Sequence, residues 1–281
     1  TRFYDGTLLP DEMIEVMTTD QGWFPSRVIR AGGTVRGFAD HPGGLPPIRI
    51  EDQARVFDLF DYLTTNAIAG LVILKRGQMV FQTGQRGVGS ETLWHSCSLA
   101  KSIAATLVGV AWNEDYVDPA SDRRQLLAVQ SRWQPGGILG FMKDLPAATP
   151  PGGAWTYNTG ESYLVGAVME AATGVSLADY LSDRIWSRAG MAMDARWWSE
   201  APDGLTISGS GMNACLGDYA RFGQFVLEGG RIGDAHLLPD GPAEELVVVV
   251  ASARAKPGYR RRLEINDDAF FAAVARALKG S

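Results

Sequence analysis

The chain has 281 residues, 46% of them hydrophobic and 21% charged, with a formal net charge of −6 and a pI near 5.2. That length and apolar content suffice for a buried core and exclude wholesale disorder. The acidic balance offers no basic face to a nucleic acid, and the one basic run, Arg260-Arg261-Arg262, reads as a solvated face.

Taken in chain order, residues 1–50 are rich in Gly, Pro and turn formers, as in Pro42-Gly43-Gly44-Leu45-Pro46-Pro47, and predict an irregular arm. The opening Thr1-Arg2-Phe3-Tyr4-Asp5-Gly6 lacks the charged start and apolar stretch of a secretory leader, so the expected location is the cytoplasm. Residues 51–64 follow a helical period with Val56, Leu59, Phe60 and Leu63 on one face. A hairpin is predicted next, from 68–74 through the turn Lys75-Arg76-Gly77-Gln78 to 79–82. The apolar stretches 67–74 and 246–251 fall far short of the ~20 residues of a membrane helix. They read as strands, and no membrane partner is expected. Gly84-Gln85-Arg86-Gly87-Val88-Gly89 lacks a phosphate-loop lysine and reads as a strand-ending turn.

Residues 98–110 predict a helix with Leu99, Ile103 and Leu107 on an apolar stripe, and 112–157 are loop-rich. Helices are expected at 161–173 and 177–185, separated by Gly174, and again over 216–227, stopping at Gly229-Gly230. A strand over 246–252 and an amphipathic helix over 267–278 complete the chain. The predicted fold is α/β. An antiparallel sheet is assembled from residues 1–95 and 206–281 and flanked by helices, with a mainly helical region, 96–205, inserted.

Two cysteines, Cys97 and Cys215, make no disulfide framework and are expected as free thiols. His41, His95 and His236 lie far apart without ligand spacing, so neither a metal nor a cofactor is expected.

Two short patterns carry chemistry. Ser98-Leu99-Ala100-Lys101 sets a hydroxyl and an amine at positions i and i+3, which share a face of a helix. A serine needs a base to become a nucleophile, and a lysine serves where desolvation or a neighbouring cation keeps it neutral. A helix start adds the positive end of its dipole to a developing oxyanion. The second pattern, Trp155-Thr156-Tyr157-Asn158-Thr159-Gly160-Glu161, follows a Pro/Gly loop and opens a helix. A tyrosine there can pass a proton to a leaving group, or simply cap the loop.

Together these patterns resemble the penicillin-recognising serine hydrolases, in the branch of class C β-lactamases, esterases and 6-aminohexanoate-oligomer hydrolases. The segment Trp112-Asn113-Glu114-Asp115-Tyr116-Val117-Asp118-Pro119-Ala120-Ser121 is similar to the lid of the oligomer hydrolases. Residues 157–166 and Ser208-Gly209-Ser210-Gly211-Met212 are also similar to that branch. The resemblance implies a β-lactamase-like fold with Ser98 as acylated nucleophile, Lys101 as base, Tyr157 as second proton carrier and Tyr116 as a substrate contact. Its implied partner is a small ester or amide, and a homodimer is left open.

Three departures from that pattern bear on function. No third motif of the Lys-Thr-Gly or His-x-Gly kind precedes the final strand: Leu237-Leu238-Pro239-Asp240-Gly241-Pro242 runs almost directly into it. Losing a strand there removes an oxyanion donor, worth about 10²–10³ in rate. Leu127 stands where the oligomer hydrolases carry an aspartate, and Thr159 stands where β-lactamases and peptidases usually carry Asn. Both tilt the expectation toward an esterase. A β-lactamase or D-alanyl-D-alanine peptidase is the alternative, and a binding protein that lost the chemistry is the third.

Overall fold

In the computed structural model the described residues are 2–19, 22–112, 135–145, 157–238, 245–254 and 264–279. The expected arm is more ordered than its composition suggested. Helices α1 (Arg2–Asp5) and α2 (Pro10–Thr18) lead into strand β1 (Ser26–Ile29). Pro10 opens α2 where a missing N–H costs nothing, and Met13 and Met17 bury one face.

The helix expected over 51–64 is corrected to a hairpin and a shorter helix: β2 (Ile50–Asp52), β3 (Arg55–Phe57) and α3 (Leu59–Thr65). Gln53 and Ala54 take left-handed backbone angles (φ 49° and 60°) and turn the chain there. Asp58 then caps α3 by accepting the Asp61 amide at 2.8 Å. Val56 and Phe60, which a helical period placed inside, are consequently 49% and 73% exposed.

The central hairpin forms as expected, with β4 (Ile68–Lys75) and β5 (Gln78–Gly84) on either side of a tight turn. Next come β6 (Leu93–His95), α4 (Leu99–Trp112), α5 (Gly137–Lys143) and α6 (Thr159–Thr173). Helix α7 (Leu177–Leu181) runs on as a π-helical turn, Ser182–Trp186. Strands β7 (Ala195–Trp198) and β8 (Met212–Cys215) lead to α8 (Leu216–Leu227). A small hairpin of β9 (Arg231–Ile232) and β10 (Ala235–His236) precedes β11 (Leu246–Ser252) and α9 (Asp267–Ala277).

Two antiparallel sheets dominate. In one, β11 pairs with β4 from Leu246 opposite Lys75 to Val250 opposite Leu71, and β5 flanks β4 on its other side. The late strand thus closes on the early hairpin, as the apolar runs implied. The other sheet has the order β1-β7-β8-β6. Its β7 falls within the stretch 96–205, so a strand from that stretch builds the sheet that carries β6.

Helix α4 buries Ala100, Ile103, Ala104, Leu107, Val110 and Ala111, whereas Leu99, expected on the same stripe, is 43% exposed at the helix mouth. Small residues on this face let α4 lie close against α6 and α7 in the largest core. A second apolar cluster, between the β4 sheet and α9, holds Tyr62, Leu71, Ile73 and Phe270. A third packs Ile138 and Met142 of α5 on Tyr163 and Trp198. The buried carboxylate of Glu200 accepts the Gly136 and Ile138 amides at 2.7 and 3.1 Å, satisfying otherwise orphaned donors where α5 begins. Among the described residues, no single helix is long and apolar enough to cross a membrane.

Candidate active site

Ser98 sits at the corner between β6 and α4, and the corner is fixed from three sides. Cys97 takes a left-handed backbone angle, φ 44°, uncommon for a side chain with a Cβ, and this turns the strand sharply into the helix. The Ser96 amide donates to the Met212 carbonyl at 2.7 Å, tying the corner to β8. Beneath it, the Tyr219 hydroxyl donates to the Trp94 carbonyl at 2.9 Å and accepts the Ala214 amide at 3.2 Å, bridging β6 and β8. Burial pushes the Tyr219 hydroxyl well above the usual phenol range, so it stays a proton donor throughout the neutral range.

One helical turn on, Lys101 reaches back. Its backbone amide bonds the Ser98 carbonyl at 3.1 Å, which sets the first turn of α4. Its Nζ lies 3.2 Å from Ser98 Oγ and donates to the Gly209 carbonyl at 2.6 Å. Nζ also lies 5.4 Å from the centre of the Tyr157 ring, within cation–π range. Tyr157 itself is 55% exposed and stands just before α6, which Asn158 caps by accepting the Gly160 amide at 3.2 Å. The structure therefore brings together Ser98, Lys101 and Tyr157. Tyr116 and Leu127 lie outside the described residues, as do Pro239-Asp240-Gly241-Pro242 and Arg260-Arg261-Arg262.

The turn Ser208-Gly209-Ser210-Gly211 completes the cluster. The sequence singles this segment out by resemblance but assigns it no role, because its contribution to Lys101 is a backbone carbonyl. Two glycines in four residues were the available signal. Gly211, with φ 84°, has the Trp198 side chain against it, and a Cβ there would lie 2.8 Å from Trp198 Cβ. Trp198 in turn packs its ring 4.5 Å from that of His95, three residues before the serine. Two cavities, of about 630 and 400 Å³, are lined by other residues, among them Arg36, Arg188 and Arg231 in the first and Phe60, Leu63 and Phe81 in the second.

Cys97 and Cys215 are both free thiols. Burial, with Asp218 beside it, pushes the Cys215 thiol up to about 12, which leaves it inert at neutral pH.

A family model described as Beta-lactamase matches residues 58–269. Over 145 residues the chain is 24% identical to a 6-aminohexanoate-dimer hydrolase of Paenarthrobacter ureafaciens, a match covering 50% of this chain and 36% of that protein. The chain thus spans only about a third of that curated relative. Among solved structures, a Bacillus anthracis protein provisionally named a 6-aminohexanoate-dimer hydrolase superposes with a TM-score of 0.81 at 16% identity. That superposition covers 99% of this chain and 96% of the other. A provisionally named β-lactamase from Bacteroides dorei superposes with a TM-score of 0.51 at 16% identity, covering 64% of each chain. These structural likenesses establish the fold.

Proposed function

Because the chain belongs to the β-lactamase family, and with it to the serine hydrolases, we propose that it cleaves small esters or amides through an acyl-enzyme on Ser98. The carrying observation is the 3.2 Å separation of Ser98 Oγ and Lys101 Nζ at the mouth of α4. Oγ attacks the substrate carbonyl carbon while a neutral Lys101 amine takes the hydroxyl proton. The oxyanion forms at the positive end of α4, and Tyr157 passes a proton to the departing alcohol or amine. Water then attacks the acyl carbon, and Ser98 recovers its proton as the acid leaves. Tyr116 contacts the substrate in this reading. The carboxylesterase end of the range is favoured by Leu127, which offers no charge to an ammonium group, and by Thr159 in place of Asn. The amide end is supported by the name of the Paenarthrobacter relative.

The test is stopped-flow release of p-nitrophenol from a short-chain ester. A burst equal to the enzyme concentration is expected, with an acyl adduct on Ser98 by mass spectrometry and at least a ~10³-fold loss in Ser98→Ala. Wild type and Ser98→Ala sharing one slow rate would eliminate the proposal. Turnover of nitrocefin, with none of the ester, would instead identify a β-lactamase.

A further inference from the structure

The geometry points to Gly209 as a positioning residue, held by α6, whose carbonyl aims Lys101 at Ser98. The inference rests on the acyl-enzyme reading above and adds a device that fixes its base. Lysine is a long side chain with three rotatable donors, and a single contact to a hydroxyl leaves its head free to swing. Here Nζ has a second anchor, the Gly209 carbonyl at 2.6 Å, shorter than its 3.2 Å contact with Ser98 Oγ. Of these two contacts the carbonyl is the firmer, and it draws the amine toward the Gly209 turn.

What fixes the carbonyl is the packing of its turn on α6. Ser208 Oγ donates to the Ser162 carbonyl at 2.6 Å, and Tyr163 and Ser210 share a hydrogen bond at 3.4 Å. Gly166 of α6 makes room for Ser208, since a Cβ at 166 would lie 2.2 Å from Ser208 Oγ. Gly209 itself is pressed against α6: an added Cβ would stand 3.0 Å from Thr159 Cγ2, 3.1 Å from the Thr159 carbonyl and 3.3 Å from Tyr163. No φ in the left-handed region is involved at Gly209, so a side chain there would meet crowding and not backbone strain. Thr159 is the nearest wall. It presents its methyl to Gly209, while its buried Oγ1 has no hydrogen-bond partner among the described residues. Thr159 thus acts by shape, setting the distance between turn and helix.

The predicted consequence is a compensating pair. Gly209→Ala must push the turn off α6 by a few tenths of an ångström and drag the carbonyl from Nζ. A 1 Å misplacement can cost about 10²-fold, so kcat should fall about 10-fold or more while KM stays within twofold. Thr159→Ser removes the methyl nearest the new Cβ. In the Gly209→Ala background it should restore at least about threefold of the lost kcat, which a general loss of packing would not do. Hydrolysis of a p-nitrophenyl ester and the rate of fluorophosphonate labelling at Ser98 are the two readouts, each with circular dichroism and a melting curve. If Gly209→Ala fails to fold, Ser208→Ala, which deletes only the bond to the Ser162 carbonyl, carries the test with a loss of about threefold or more in labelling rate. Ser98-dependent turnover that Gly209→Ala leaves within twofold of wild type, or that Thr159→Ser fails to restore, overturns the positioning role alone. Absence of Ser98-dependent turnover in the wild type overturns the reading beneath it.

Discussion

The Ser98 corner and the seat of the C-terminal helix are both polar clusters set in apolar surroundings, and they are built in opposite ways. At the corner the partners are mainly backbone groups, those of Ser96, Met212, Trp94 and Gly209. At the α9 seat the polar groups are matched charge to charge. Arg254 makes two bonds to Asp267 at 2.9 and 2.5 Å, with Glu264 3.9 Å away. Tyr62 donates to the same Asp267 at 2.6 Å and stacks its ring 3.9 Å from that of Phe270. Asn66 exchanges two bonds with Ile265, holding the strand-to-helix connection. The carbonyl dipole that orients the Lys101 head biases it less toward its charged form than the full carboxylate of Asp267 does Arg254. A neutralised cluster can hold an element down but has no proton to give.

The sharpest way to break this contrast is at Lys101. Lys101→Ala should cost turnover about 10²–10⁴-fold, typical of removing a proton-transfer group, with melting temperature unchanged or raised. A large loss of stability instead would make the corner a structural seat like the other. Arg254→Met is the reverse experiment. It strips Asp267 and Glu264 of their cation and should cost about 3 kcal/mol in urea unfolding, toward the lower end for a broken buried pair because Asp267 keeps some solvent. Ester turnover per folded molecule should be unaffected.

Tyr219→Phe tests whether the two kinds of construction separate at all. It leaves the Trp94 carbonyl and Ala214 amide short of a buried partner, costing roughly 1–3 kcal/mol. Because those groups hold the Ser98 corner, kcat should fall with it. A stability loss with kcat intact would show that the corner does not depend on this bridge.

The smallest effect concerns the rim. The Arg36 guanidinium holds the Glu228 carboxyl below the usual carboxylate range. A depressed carboxylate contributes stability above its ordinary range and loses it as pH falls through the lowered value, since the unfolded chain binds the proton first. Wild type should therefore lose slightly more stability than Glu228→Gln on going from neutral pH to about pH 3. The difference should stay below ~1 kcal/mol because the pair is about a third exposed. Thermal melts at the two pH values decide it.

Much of this was legible in the amino-acid order, for identifiable reasons. Runs with a single strong period, such as Leu246–Ser252 and Leu216–Leu227, appear with those bounds because burial on one or both faces leaves no competing register. The Ser98 and Lys101 pairing was legible because i and i+3 spacing on a helix is local geometry. Residues 51–64 misled because two non-glycine residues, Gln53 and Ala54, adopt left-handed angles that only the tertiary setting selects. The Gly209 carbonyl was invisible for another reason: every residue has one, so its use lies in the path of the chain and leaves no side-chain trace.

The left-handed Cys97 before Ser98 has a consequence for how this protein would respond to selection. A Cβ in that region costs about 1–2 kcal/mol, a strain that glycine escapes. Under pressure for heat tolerance alone, position 97 should drift to glycine early, gaining robustness while loosening the joint that presents the hydroxyl. Under pressure for turnover the strained residue should persist, so the identity at this one site would record which demand had governed a lineage.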